Sequence, residues 1–169
     1  DYKVSLISGI YEVLVNRNGG KLMQKNLELL GPIKYTDEEV KFAKEIQAST
    51  GKPQLGLDSS IKPLRETLEN PGGGSTDVGD VSWNVPNINL GVTTAPVDTP
   101  WHSWAVVACG GMSIGHKGTI YAAKAMAMTM SDLFKNKKLV QEINQEYLKR
   151  KGDEEYVAMI DGPAPINEN

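Results

Sequence analysis

The chain has 169 residues, of which 40% are hydrophobic and 23% are charged, and this composition predicts about one globular domain with a buried core. The net charge of −3, with Lys and Arg scattered along the chain, excludes the basic stripe of a nucleic-acid-binding protein. The single cysteine cannot form an intramolecular disulfide, and no apolar run approaches the ~20 residues of a membrane helix. We therefore expect a soluble cytoplasmic protein with no nucleic-acid or membrane partner.

The first segment, Tyr2–Val15, is rich in β-branched and aromatic residues that partly alternate with polar ones. This pattern predicts a strand that is bent near Gly9. The chain starts at Asp1, without Met and in the middle of this pattern. We therefore expect it to be a piece of a longer protein.

Three helices are predicted in the next fifty residues. After a turn at Asn16–Gly20, apolar residues at helical spacing predict a helix that ends at Gly31. Thr36-Asp37-Glu38-Glu39 is a capping box, which predicts a second helix that ends near Ser49. Ser60 then predicts the cap of a shorter helix over residues 61–68.

The second half of the chain predicts a short strand and two long helices. Asn87–Val92 alternates apolar residues with asparagines, which is typical of a strand. Thr119–Phe134 carries Ala and Met nearly all the way round, which predicts a helix buried on most sides. Lys137–Lys151 predicts an amphipathic helix, and we expect only a short ordered piece after it. Its inward residues are predicted to be Leu139, Val140, Ile143, Tyr147 and Leu148.

Chemistry-bearing residues concentrate in Pro71–Lys117, which holds both histidines, the cysteine and all three tryptophans. The glycines at 72–74 precede Ser75, Thr76 and Asp77, which can cap a short helix that ends near Ser82. A Gly-rich loop before a helix presents free N–H groups and predicts an anion site, with a flexible capped loop as the alternative. The loop lacks the Lys-Ser/Thr ending of a nucleotide-binding P-loop.

His102 lies between Trp101 and Trp104 in a predicted loop. A neutral imidazole in such a place can be a metal ligand or a general base. The alternative is a partly buried histidine that stacks on a tryptophan and donates to a backbone carbonyl. The residue pattern leaves both alternatives open.

His116 and Lys117 lie just before the Ala/Met helix, where they can bind an anion together or simply line the loop. Cys109 lies in the apolar run Ala105–Cys109. We predict that it is a small buried hydrophobic residue rather than a nucleophile.

Four stretches together resemble the C-terminal part of the co-catalytic zinc peptidase and aminoacylase family, in its aminobenzoyl-glutamate utilisation branch of amidohydrolases. They are GGGSTDVGDVSW, NVPNINLGVTT, TPWHSW and GGMSIGHKGTIYAAKAMA. The earlier stretch YEVLVNRNGGKLMQKNLELLGPIKYTDEEVKFAKEIQ is similar to the end of the family's inserted lid domain and the return to its catalytic domain.

The resemblance implies an α/β fold, with helices packed on a mixed β-sheet in a zinc-peptidase-like catalytic domain. It implies that residues 1–31 are the end of a lid or dimerisation domain and that residues 32–169 are the C-terminal part of the catalytic domain. His102 matches the family's last metal ligand. Ser75, Thr76 and Asp77 match a segment that lines the substrate pocket, and we add Gly73, Gly74 and His116 as expected substrate-binding residues.

The reaction implied is metal-assisted hydrolysis of the amide bond in an acyl-amino acid or small peptide such as aminobenzoyl-glutamate, with zinc or another divalent metal. His102 is the only part of that machinery in the sequence. The pairs Glu38-Glu39 and Glu154-Glu155 are predicted to be solvated and do not match the family's catalytic pair. We therefore expect the isolated chain to be inactive and without bound metal, and the full-length enzyme to be a homodimer completed by an N-terminal part.

Two other classes of function stay open. One is a non-catalytic interaction module that uses the Trp101 and Trp104 surface and the edge of the Tyr2–Val15 strand. The other is a small anion- or nucleotide-binding domain that uses the loop at 72–76 with His116 and Lys117.

Overall fold

The computed structural model describes residues 2, 4, 6, 8–65 and 76–160, and the regular secondary structure in these residues is α-helical. The helices are α1 (Arg17–Leu30), α2 (Asp37–Ser49), α3 (Val78–Ser82), α4 (Trp104–Gly110), α5 (Ser113–Lys135) and α6 (Lys137–Lys151). A search of the helices within these ranges finds none that is long and apolar enough to cross a membrane.

The predicted α/β fold with a mixed β-sheet is wrong, because the described residues contain no strand. Both predicted strands, at Tyr2–Val15 and Asn87–Val92, are irregular wherever the structure describes them. Alternation of apolar and polar residues predicts an extended, half-buried segment. It does not supply the second strand whose N–H and C=O groups a ladder requires.

Side chains take the place of a partner strand along the first segment. The Leu14 N–H donates to Ser82 Oγ at 2.8 Å, and the Trp83 indole N–H donates to the Glu12 carbonyl at 2.9 Å. These bonds satisfy backbone groups that would otherwise be left unpaired.

The limits of α2 are as predicted, and its capping box is complete. The Glu39 N–H donates to Thr36 Oγ1 at 3.3 Å, and the Thr36 N–H donates to Glu39 Oε2 at 2.7 Å. The end of α1 is also confirmed, because Leu30 is followed by Gly31 with φ +71°, a conformation that glycine adopts readily.

The start of α1 differs from the prediction, because the helix begins inside the predicted turn at Asn16–Gly20. Asn16 Oδ1 accepts from the Gly19 N–H at 2.8 Å. The Glu146 carboxylate accepts from the N–H groups of Arg17 and Asn18 at 2.9 and 2.7 Å. A cap from Asn16 and a carboxylate from α6 therefore satisfy the first N–H groups of the helix.

The helix predicted over residues 61–68 is absent from residues 61–65, and residues 66–68 lie outside the described ranges. The N–H and hydroxyl of Ser60 donate to Asp58 Oδ1 at 2.9 and 2.6 Å. Ser60 therefore closes a local turn with Asp58, and this competes with helix capping.

The structure confirms the helix predicted over Thr119–Phe134, but α5 begins six residues earlier, so His116 and Lys117 lie inside the helix and not in a loop before it. The predicted burial of this helix on most sides is wrong. Ile120, Met126, Met130 and Phe134 are exposed, and Phe134 is 87% exposed. In α6, Ile143 and Tyr147 are buried as predicted, whereas the inward positions predicted for Val140 and Leu148 are exposed. Composition indicates that a helix is apolar but does not say which side has a neighbour.

The chain divides into two compact units. The first comprises residues 1–19, 65–88 and 137–169, and its described part packs around Trp83, whose carbonyl accepts from the Tyr147 hydroxyl at 2.9 Å. The second comprises residues 20–64 and 89–136, with Ile46, Ala105 and Cys109 in its core.

Candidate functional site

His102 lies in the turn that precedes α4, in the second unit. Its side chain is exposed, and its imidazole makes no hydrogen bond, ion pair or ring contact with a described residue. The alternative of a partly buried histidine stacked on a tryptophan therefore does not describe this side chain. An exposed imidazole with no protein partner is available to a metal or a proton.

The loop that carries His102 is anchored by a buried amide. Gln47 of α2 is 1% exposed, and its Nε2 donates to the Val97 carbonyl at 2.9 Å. Its Oε1 accepts from the Gly56 N–H at 2.7 Å, and the Val97 N–H donates to the Gly56 carbonyl at 3.0 Å. One side chain thus fixes the start of the loop to α2 and to the turn at Gly56.

Two residues of this loop have left-handed backbones: Asp98 with φ 58° and His102 with φ 61°. Such a conformation costs an L-residue about 1–2 kcal/mol, so neighbouring bonds must hold it. The Thr99 hydroxyl donates to the Pro96 carbonyl at 2.7 Å, and the Ser103 hydroxyl donates to the Pro100 carbonyl. These bonds hold His102 in a fixed and strained position.

A cleft of about 540 Å³ runs along the same loop and includes Trp101, the residue before His102. Its charged lining residues are Lys52, Asp58 and Asp98. Hydrogen bonds from Lys62 and Ser60 hold the pKa of the Asp58 carboxyl well below its usual range. Asp98 makes no ion pair with any residue within the described ranges.

A metal centre requires several ligands, and three or four protein side chains are usual for zinc. Within residues 2, 4, 6, 8–65 and 76–160, no three His, Cys, Asp or Glu side chains lie close enough together to hold a metal ion. His102 therefore fits the role of one ligand, and a metal there would need further ligands that the described residues do not supply.

The predicted carboxylate-binding loop is only partly described. Gly73, Gly74 and Ser75 lie outside the described residues, whereas Thr76 and Asp77 are exposed and directly precede α3. Thr76 Oγ1 accepts from the Val78 N–H at 3.3 Å, and the Asp77 side chain makes no capping bond. The predicted end of this helix at Ser82 is confirmed, and the substrate-binding role of residues 73–77 remains a prediction.

Lys117 already has an anionic partner within the protein. Its Nζ lies 2.6 Å from Glu39 Oε2 and donates to the Lys34 carbonyl at 2.9 Å. The prediction that Glu38-Glu39 is solvated is wrong for Glu39, which is 7% exposed. His116 is exposed in the first turn of α5, and its substrate-binding role stays a prediction.

The buried carboxylate of Glu39 joins the start of α2 to the first turn of α5. Burial alone would raise its pKa, but hydrogen bonds from Lys117, Ser113 and the Thr36 N–H outweigh burial and lower the pKa to about 2. Burial and the negative charge of Glu39 raise the pKa of the nearby Tyr35 hydroxyl to about 12.

Cys109 is fully buried in α4, as predicted for a small hydrophobic residue. Burial raises the pKa of its thiol. Since the thiolate is the nucleophile, this environment disfavours covalent catalysis by Cys109.

Sequence reasoning missed the roles of Gln47 and Glu39 in positioning these loops and helices. Both occupy the buried face of α2 together with Ala43 and Ile46, at helical spacing. A polar residue on an otherwise apolar face indicates a buried group that needs partners. This signal was present in the sequence, but it does not say which residues the partners are.

The strain at His102 gives a testable prediction. We expect His102→Gly to raise the free energy of unfolding by about 0.5–1 kcal/mol, because glycine adopts positive φ without steric cost. His102→Ala removes the same imidazole but keeps a Cβ, so we expect no such gain. Urea unfolding of both variants checks this, and equal stability of the two would argue against strain at this position.

The exposed histidine lies on a fixed loop next to a cleft, and the comparison with known proteins gives a hydrolase as a relative. No family model matches the chain, and no solved structure matches it. The chain is 35% identical over 159 residues to a component of the p-aminobenzoyl-glutamate hydrolase of Escherichia coli (strain K12). This match covers 79% of the chain and 33% of that relative, so the chain spans about a third of the relative's length. The predicted resemblance to the aminobenzoyl-glutamate branch is confirmed.

Proposed function

We propose that this chain is one part of a metal-dependent amidohydrolase that cleaves the amide bond of an acyl-amino acid or small peptide of the aminobenzoyl-glutamate type. The observation that carries the proposal is the exposed imidazole of His102, held on a strained loop with no protein partner among the described residues. The similarity to a hydrolase over most of the chain supports it.

In this proposal each group has a separate task. The neutral imidazole of His102 binds zinc or another divalent metal as one ligand, and Gln47 keeps the loop in place. When bound, such a metal polarises the scissile carbonyl and lowers the pKa of water. The N–H groups of residues 73–77 receive the substrate's carboxylate.

Further segments complete the enzyme in this proposal. The chain corresponds to a third of its relative and lacks a full ligand set in its described ranges, so another segment supplies the remaining ligands and the general base. Residues 1–31 belong to a lid that mediates homodimerisation and residues 32–169 belong to the catalytic domain of a cytoplasmic enzyme.

The proposal is tested with the isolated chain and with a chimera in which this chain forms part of its relative. The purified chain alone is expected to show no stoichiometric zinc and no hydrolysis of p-aminobenzoyl-glutamate. A chimera in which the chain replaces the matching third of the Escherichia coli protein is expected to bind metal and hydrolyse this substrate. His102→Ala in the chimera should lower metal affinity and activity by about 100-fold.

His116→Ala provides the matched control for metal content, because it removes the other histidine of the chain and is expected to leave the bound metal unchanged. A folded, metal-loaded chimera whose metal content is insensitive to His102→Ala would refute the ligand role. About one equivalent of zinc bound at His102 in the isolated chain would contradict the need for a second segment.

A second candidate, a non-catalytic interaction module, is favoured by the exposure of Trp101 and Trp104, at 68% and 57%. Large exposed aromatic side chains often mark contact surfaces. Light scattering over a concentration series tests this candidate, and a strict monomer at high concentration would count against it.

A further inference from the structure

A second cavity, of about 420 Å³, lies in the second unit between α5 and the segment that follows α1. Its apolar lining includes Ile33, Ile120 and Tyr121. The Tyr121 hydroxyl is already engaged, because it donates to the Leu27 carbonyl at 3.2 Å. The ring of Tyr121 is therefore fixed as part of an apolar wall.

The ionisable side chains that line this cavity are all of basic residue types. Lys34, His116, Lys117 and Lys124 contribute to it, and no Asp or Glu is among its described lining residues. The Lys117 ammonium is neutralised by Glu39 at 2.6 Å. Lys34 and Lys124 are exposed, and neither ammonium has an ion pair or hydrogen bond to any residue that the structure describes.

We propose that this cavity binds a small carboxylate with an apolar body, such as an aromatic or branched acid. Ligand sites typically have volumes of about 300–1,000 Å³ and combine apolar walls with a few polar groups. Here the apolar wall takes the body of the ligand, and the ammonium groups of Lys34 and Lys124 take its carboxylate. The Lys117 ammonium cannot bind the ligand's carboxylate without breaking its ion pair with the buried Glu39.

This inference does not rest on the proposed hydrolase function. It uses α5 and residues 30–34. Of the residues predicted for the hydrolase site, the cavity lining contains His116 but not Thr76, Asp77 or His102, and the ligand's carboxylate is assigned to Lys34 and Lys124. The predicted ligand binding would therefore stand if the hydrolase role were disproved, and the hydrolase proposal would stand if the cavity bound no carboxylate.

Binding of benzoate to the intact chain, measured by isothermal titration calorimetry at low salt, tests the proposal. Benzoate supplies both an apolar ring and a carboxylate, benzamide the same ring without charge, and acetate the charge without a ring. We expect saturable binding of benzoate, and binding weaker by about tenfold or more for benzamide and acetate.

Two double variants locate the site. Lys34→Ala with Lys124→Ala is expected to weaken benzoate binding by about tenfold. Lys41→Ala with Lys44→Ala removes the same charge from α2, outside the cavity, and is expected to leave binding within about twofold. These lysines are exposed, so both variants should fold.

Three results would overturn the proposal. The first is the absence of saturable benzoate binding up to about 10 mM. The second is benzamide binding as strongly as benzoate. The third is an equal loss of binding in both double variants, which would indicate attraction by net charge rather than a site.

Discussion

Gly79→Ala is expected to destabilise the first unit by about 3 kcal/mol or more, because the added methyl group has no space. A Cβ built at Gly79 lies 1.8 Å from the Tyr11 carbonyl oxygen and 2.8 Å from its carbon. The clash is with backbone, which cannot rotate away as a side chain can. Either α3 or the segment around Tyr11 must move, and the Leu14 and Trp83 hydrogen bonds would be strained or lost.

Urea unfolding followed by tryptophan fluorescence measures this effect. Trp83 is 7% exposed whereas Trp101 and Trp104 are exposed, so the buried component of the emission reports on the first unit. Gly110→Ala is the control, because Gly110 is also helical and a Cβ there meets nothing within 4 Å. A Gly79→Ala protein as stable as the Gly110→Ala protein would show that the close approach is not a constraint.

Lys117→Met is expected to cost about 2 kcal/mol, because it leaves the buried carboxylate of Glu39 without its cation. Removal of one partner from a buried pair typically costs about 3–5 kcal/mol, and the 35% exposure of the Lys117 side chain reduces this figure. The double variant Lys117→Met with Glu39→Gln should recover part of the loss, since no uncompensated charge stays buried.

The same pair makes stability depend on pH. The pKa of Glu39 is lowered from 4.5 to about 2 in the folded protein, so its carboxylate binds protons less readily folded than unfolded. The stabilisation that the ionised Glu39 carboxylate gives to the folded protein is therefore fully present above about pH 4.5, and it is lost as the pH falls from there through 2. In Glu39→Gln this part of the acid sensitivity should disappear.

Urea unfolding at pH 7 and at acidic pH checks both expectations. Lys41→Met is the control, because its ammonium lies 4.0 Å from Glu45 with both side chains largely exposed, and we expect a change within about 0.5 kcal/mol. Ultraviolet titration gives a second readout, since Glu39→Gln should lower the pKa of Tyr35 from about 12. An unchanged tyrosine titration would mean that Glu39 does not act on Tyr35.

The extent of α2 and the end of α1 were predictable from the sequence because their signals are local. The capping box at Thr36–Glu39 and the stop at Gly31 depend on groups within a few residues, and the structure shows both where expected. Burial of Cys109 followed in the same way from its apolar neighbours.

Strand pairing and burial were not predictable, because they depend on partners distant in sequence. The residues around Leu14 have a strand-like pattern, yet the Leu14 N–H bonds to a serine 68 positions away. Glu39 and Lys117 each look like solvated charges in sequence, and their separation of 78 positions hides the ion pair. The apolar α5 was predicted to be buried on most sides, but several of its large side chains are exposed.

For the candidate site, the sequence by itself determined which chemical groups are present: one histidine between two tryptophans, a Gly-rich loop and a His-Lys pair at positions 116 and 117. The tertiary structure decided which of these groups are free to bind a ligand and which already have a partner within the protein. It left His102 exposed on a loop that Gln47 anchors, and it neutralised Lys117 with Glu39. The physical reason is that a residue's type sets what it can bind, whereas burial and neighbouring charges decide whether that capacity is already taken.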